Sequence, residues 1–251
     1  ERWVIHSGGR GEIYNYPLFC STAADQPAID VQEGGTLVLD PVGFGTSSVN
    51  FGPHGARFVN NGTMILPHGI NWSNASESGD RDTPGKVDRI RFSQQSGTMV
   101  LGGDVCKTAK NTTFIGEMIF ELAGGTLQVE NDVRFYTADA AKDAAKGWGE
   151  QVFAEMPEGA AATVDVKAGG SIDMTVFTFG AGASLVKQGE GPMTLGAVRP
   201  ASLNVKAGEI CFATTLTDLT GVTLADGATV VFGAANNALA ALPDADKLNY
   251  T

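Results

Sequence analysis

Three histidines are the only imidazoles in this chain of 251 residues, and two of them sit in a repeated triplet, Pro53-His54-Gly55 and Pro67-His68-Gly69. Two such imidazoles beside an acidic loop could ligate a metal or serve as a general base. The same triplet also writes a turn, because proline presets φ and glycine relaxes the backbone after it. Its repetition favours the turn. A second group is ionic: Asp80, Arg81, Asp82, Asp88 and Arg89 lie in or at the edge of the polar stretch INWSNASESGDRDTPGKVDRIR, residues 70–91. Carboxylates holding calcium next to a basic residue are what β-elimination on a uronate requires. Asp80-Arg81-Asp82 lacks the glycine and closing glutamate of a calcium loop, however, and charges in a long polar loop are ordinarily just solvated. The chain contains no Gly-x-Ser-x-Gly, no phosphate-binding loop and no His-Glu-x-x-His. The residue types therefore favour a non-catalytic protein, with a polysaccharide lyase or hydrolase as the alternative. No cofactor or metal is expected.

The aromatic residues carry more information. Trp72 and Trp148 fall in two polar insertions, where no core is available to them, and Tyr136 precedes the second. A neutral polysaccharide presents flat C–H faces and ring hydroxyls. Aromatic planes cover the faces at low side-chain entropy cost, and Asp, Asn, Gln and Arg take the hydroxyls. The expected ligand set is Trp72, Tyr136 and Trp148, with Asp80, Asp82, Lys146 and Gln151 as polar lining. The competing reading is that each tryptophan pins its own loop to the body of the protein.

What would position these residues is a repeat. VQEGGTLVLD covers 31–40, FVNNGTMILP 58–67, SQQSGTMVLG 93–102, ELAGGTLQVE 121–130 and VKAGGSIDMT 166–175; VKAGEICFAT and LADGATVVFG follow at 205–214 and 224–233. Each phrase is a small or polar turn, a glycine, then apolar residues at alternate positions. Alternation at period two marks strands with one buried face, and the glycine entry offers the positive φ of a tight turn. From Gly35 through Gly62, Gly97 and Gly125 to Gly170 the steps are 27, 35, 28 and 45 residues, and Gly191, Gly208 and Gly227 step by 17 and 19. A β-rich unit of roughly 20–30 residues with no helix in each repeat predicts the coils of a β-solenoid. On that phase Phe44, Trp72, Lys107 and Tyr136 should stack along one corner, with a groove crossing residues 107–111.

SLVKQGEGPMTL (184–195) followed by LNVKAGEICF (203–212) resembles the autotransporter-associated β-strand repeat. Size and composition are also similar to the β-helical carbohydrate-binding modules of gut bacterial xylan-degrading enzymes. These resemblances imply an all-β, right-handed parallel β-helix in a secreted or cell-surface bacterial protein, covalently linked to a catalytic domain and binding a polysaccharide such as xylan. A structural passenger or adhesin fragment is the third possibility. As organisation, one β-helix domain over 1–251 is expected. Residues 1–30 would form an N-terminal cap, and inserted loops would fill 70–91 and 137–153, the second containing a short helix.

Composition agrees with such a protein. The 33 glycines and 18% charged residues are unlike a helical bundle, while 43% apolar content suits a folded core. A net charge of −11 disfavours nucleic acid and, by the same repulsion, polyanionic sugars. No apolar run is long enough to span a membrane. Cys20, Cys106 and Cys211 are too scattered, and odd in number, for a disulfide framework, and are expected to be buried as small apolar side chains.

Overall fold

The computed structural model describes residues 3–14, 29–40, 56–73, 88–108, 116–138, 152–213 and 221–232. Within them the chain is all-β, with 23 strands in three parallel sheets. The first sheet is β1 (Trp3–Ile5), β3 (Ile29–Val31), β5 (Ala56–Asn60), β8 (Asp88–Gln94), β11 (Gly116–Leu122), β14 (Val152–Met156) and β17 (Phe177–Phe179). The second is β2 (Arg10–Ile13), β4 (Thr36–Leu39), β6 (Thr63–Leu66), β9 (Thr98–Leu101), β12 (Gly124–Val129), β15 (Ala161–Val166), β18 (Ser184–Gln188), β20 (Ser202–Val205) and β22 (Val222–Leu224). The third is β7 (Ile70–Ser73), β10 (Val105–Thr108), β13 (Asp132–Ala138), β16 (Ser171–Met174), β19 (Met193–Leu195), β21 (Glu209–Phe212) and β23 (Thr229–Phe232). From β5 to β19 every third strand returns to the same sheet, beside the one before it. Parallel pairing with short connections forces the chain around in this way, and the strand order fits a β-solenoid.

The first four of the seven phrases straddle a corner between the first and second sheets, whereas VKAGGSIDMT, VKAGEICFAT and LADGATVVFG straddle the corner between the second and third. In VQEGGTLVLD, FVNNGTMILP, SQQSGTMVLG and ELAGGTLQVE the glycine column lies where coils meet backbone to backbone. A methyl group on Gly62 would sit 2.4 Å from the Gly35 carbonyl oxygen, and one on Gly97 would sit 2.0 Å from that of Gly62. The residues that follow are hydrogen-bonded through this column: Thr63 N–H donates to Gly35 O at 2.9 Å, and Thr98 N–H to Gly62 O at 2.7 Å. Most of these glycines are thus required by close approach as much as by dihedral angle. Positive φ falls on Gly34 and Gly169 rather than on Gly35 and Gly170, and Gly62 has none.

Inward side chains form one continuous core. On the first sheet Phe58, Phe92, Phe120, Ala154 and Phe177 stand in one register column. Phe58 and Phe92 stack with centroids 4.4 Å apart. At the level of Ala154 the small side chain leaves room, which Phe135 of the third sheet fills edge-on to Phe120 (5.0 Å) and Phe177 (4.9 Å). Three fully buried polar residues close the corners. Asn60 Nδ2 donates to Gln94 Oε1 at 2.6 Å and to Thr98 O at 2.9 Å, while its Oδ1 accepts from Gly62 N–H at 3.2 Å. Lys187, the lysine of the SLVKQGEG phrase, points inward and donates to the carbonyls of Gln188, Gly189 and Ala207 at 3.1, 2.6 and 2.9 Å. Desolvation draws its pKa below the ordinary lysine value.

Strands also lie within the segments named as cap and insertions. Within 1–30, β1 and β2 pair in register with β3 and β4, so this segment supplies rungs of the first two sheets. Residues 70–73 and 88–91 of the expected first insertion, and 137–138 and 152–153 of the second, are strand. The short helix expected over the second lies outside the described residues. Cys106 is buried as expected, but Cys211 is only half-buried and donates its thiol to Glu209 Oε1 at 3.1 Å. Cys20 lies outside the described residues.

Candidate functional site

Because side chains alternate along a strand, the residues between the core positions of RIRFSQ, MIFEL and VFAEM face outward on the first sheet. Parallel in-register pairing then lines them up in two columns. Arg57, Arg91, Ile119 and Phe153 make one. Asp30, Val59, Ser93, Glu121, Glu155 and Thr178 make the other. Between them runs a groove of about 280 Å³ lined by Arg91, Glu117, Ile119, Phe153, Ala154, Glu155, Val176 and Thr178. Its floor is apolar and open to solvent: Phe153 is 43% and Val176 41% exposed, two of the six large apolar side chains left exposed among the described residues. The polar edge is tied down. Arg91 Nη1 bonds Glu121 Oε2 and lies 3.5 Å from Glu155 Oε1, and Ser93 donates to Glu121 Oε1 at 2.5 Å. Carboxylates on neighbouring rungs, ~4.8 Å apart, approach the spacing of a retaining glycosidase pair. Here both oxygens of Glu121 already serve Arg91 and Ser93, which leaves it poorly placed to attack an anomeric carbon.

A second, wider cleft of about 520 Å³ lies on the outer face of the third sheet, lined by Gly103, Asp104, Asp132, Arg134, Ser171 and Asp173. Its polar groups satisfy one another. Arg134 donates to Asp104 from its backbone (2.8 Å) and its guanidinium (2.9 Å). Ser171 donates to Asp132 at 2.6 Å, and Thr175 N–H to Asp173 at 2.9 Å. Among the described residues no group of three or more His, Cys, Asp or Glu is placed to hold a metal ion. Of these two the smaller groove is the better candidate, because it combines an exposed aromatic ring with an apolar floor.

The residues expected to bind are only partly placed. Tyr136 stands on the outer face of the third sheet beside this cleft, with the Arg134 guanidinium carbon 5.1 Å above its ring. Its hydroxyl pKa is pushed up to about 12, first by burial and then by Cys106. Trp72 pairs with Lys107, which pairs with Thr137, whereas Tyr136 pairs with Cys106 and Cys106 with Asn71. Trp72 and Tyr136 therefore occupy adjacent rows of the ladder, and the single corner line expected to run through Trp72, Lys107 and Tyr136 is one residue out of phase at its last member. Lys107 is itself buried. Asp80, Asp82, Lys146, Trp148 and Gln151 lie outside the described residues, as do Phe44 and His54. Of the two histidine triplets, the one at 67–69 is a turn, with φ of +72° at Gly69 and its N–H bonded to Leu66 O at 3.0 Å.

Phe153, Ile119 and the glutamates of the first sheet escaped the sequence reading, which took its phase from the strand after each glycine. The signal was present in VFAEM. Val152, Ala154 and Met156 keep the core phase, so Phe153 stands where a polar residue would be ordinary. No known family model, curated protein or solved structure matches this chain.

Proposed function

We propose that this protein is a non-catalytic carbohydrate-binding module for a neutral plant polysaccharide, with xylan as the first to test, appended to a secreted bacterial glycoside hydrolase. The observation that carries the reading is Phe153: an aromatic ring exposed on the floor of a groove whose rim is a fixed network of guanidinium, carboxylate and hydroxyl groups. A sugar ring can lay its C–H face on such a floor and bond its hydroxyls to the rim. The negative net charge supports a neutral ligand over a polyanion.

The finer architecture belongs to the same proposal. The coils wind right-handed, as parallel strands joined by crossovers almost always do. Residues 1–30 close the first coil, and the insertions leave at corners. Trp148 and Gln151 precede β14, and so Phe153, by a few residues in the sequence, and with Lys146 they belong to the proposed ligand set. Tyr136, which stands on the outer face of the third sheet, would then extend binding onto that neighbouring face.

Affinity electrophoresis against a panel of soluble polysaccharides tests the function. Retardation without product release, abolished in Phe153→Ala and retained in Tyr136→Phe, supports the module and its site. New reducing ends or unsaturated products would replace it with a hydrolase or lyase. Failure to retard with every polymer would favour a structural passenger or adhesin fragment.

A further inference from the structure

The groove residues come from four successive coils: Arg91 from β8, Glu117 and Ile119 from β11, Phe153 and Glu155 from β14, and Val176 and Thr178 from β17 and the residue before it. Their registers run straight up the solenoid, Arg91 to Ile119 to Phe153 in one column and Glu121 to Glu155 to Thr178 in the next. Parallel strands lie ~4.8 Å apart, so four rungs span ~14 Å centre to centre, about the length of three linked pyranose rings. A single sugar on Phe153 would leave Ile119 and Val176 uncovered. A linear chain laid along the axis covers all three apolar side chains and keeps one row of its hydroxyls beside the glutamate column. A chain laid along the strands would leave the apolar column within one rung.

The charge of the rim sets a second limit. Two neighbouring carboxylates of the glutamate column, Glu121 and Glu155, share one guanidinium, Arg91, and Arg91 and Glu155 line the groove. A ligand carboxylate would meet a net negative field at close range, where repulsion is least screened.

Resting on the carbohydrate reading above, we propose that the groove takes an internal stretch of about three sugar units of a linear neutral polysaccharide, aligned with the solenoid axis, and discriminates against uronate-bearing chains. Isothermal titration of the intact protein with xylo-oligosaccharides of increasing length, and with glucuronate-substituted counterparts, tests it. The association constant should rise about tenfold per added ring up to three or four rings and then level off. The substituted oligomers should bind more weakly at low salt, by a margin that narrows with added salt and in Glu155→Gln. Equal affinity for xylose and the hexamer, or a rise continuing through six rings, would overturn the length and axis while leaving carbohydrate binding intact. Tighter binding of the glucuronate forms would overturn the charge selection. If no oligomer binds while xylan or another neutral polymer still retards the protein, the three-unit track is wrong and the module reading survives; if no polymer binds either, both fall.

Discussion

Gly97 and Gly159 form a matched pair on which the coil-to-coil contact can be weighed. Both have positive φ, +66° and +68°, so an alanine at either must adopt nearly the same left-handed backbone. That strain costs about 1–2 kcal/mol, partly offset by the roughly 0.4–1 kcal/mol that alanine gains by restricting the unfolded chain. They differ in their surroundings. At Gly159 nothing lies within 4 Å of an added Cβ, whereas at Gly97 the Gly62 carbonyl oxygen lies at 2.0 Å and the Asn61 oxygen at 2.8 Å. Neither obstacle is a flexible side-chain end; both are backbone. The coils must part by more than an ångström there, which weakens the bond from Thr98 N–H to Gly62 O and that from Thr126 N–H to Gly97 O. Losing two ladder bonds at about 0.5–1.5 kcal/mol each, with overpacking of about 1–3 kcal/mol, puts Gly97→Ala about 2–6 kcal/mol beyond Gly159→Ala. Urea unfolding followed by circular dichroism in the β-sheet region should show Gly159→Ala near wild type and Gly97→Ala with a much lower midpoint. Midpoints shifted equally for the two variants would refute the backbone-contact argument, because only dihedral strain would then be at work.

Other expectations follow from the same geometry. Asn60→Ala should lower stability by about 2–5 kcal/mol in the same unfolding assay, since it strips partners from Gln94, Thr98 O and Gly62 N–H inside the core. Lys187→Met keeps the buried stem but leaves three carbonyls without their donor, so a melting temperature several degrees below wild type is expected, with the strand content retained. Phe153→Ala, being exposed, should shift the melting temperature little while weakening oligosaccharide binding at least tenfold. Cys211 has its pKa raised from 9.0 to about 11 by burial and by Glu209. The unfolded thiol therefore ionises first, the unfolded chain binds fewer protons between pH 9 and 11, and stability drains away as pH rises through that window. Chemical unfolding at pH 8 and pH 10.5 should show a smaller loss for Cys211→Ala than for wild type; an equal loss would remove the thiol from the account.

The glycine-led phrases were enough to specify a stack of parallel strands, because period-two alternation after a glycine turn has few other solutions and its recurrence at 27 to 35 residues implies coils. The inward residues of the second sheet Leu37, Met64, Met99 and Leu127 were legible for the same reason. The SLVKQGEG lysine and the asparagine before Asn-Gly were visible as letters, but their burial was not: that depends on carbonyls brought in from neighbouring turns. Tertiary structure alone decided which outward residues stand side by side. Arg91, Glu121 and Glu155 are 30 and 34 residues apart along the chain, and they meet only because the strands come back into register after insertions of unequal length. A one-residue error in counting across such an insertion moves a side chain to the other face of the sheet. The expected line of Trp72, Lys107 and Tyr136 slips by one position because the run from Gly125 to the third sheet is two residues longer than that from Gly97, and the groove around Phe153 emerges only once the strands are paired.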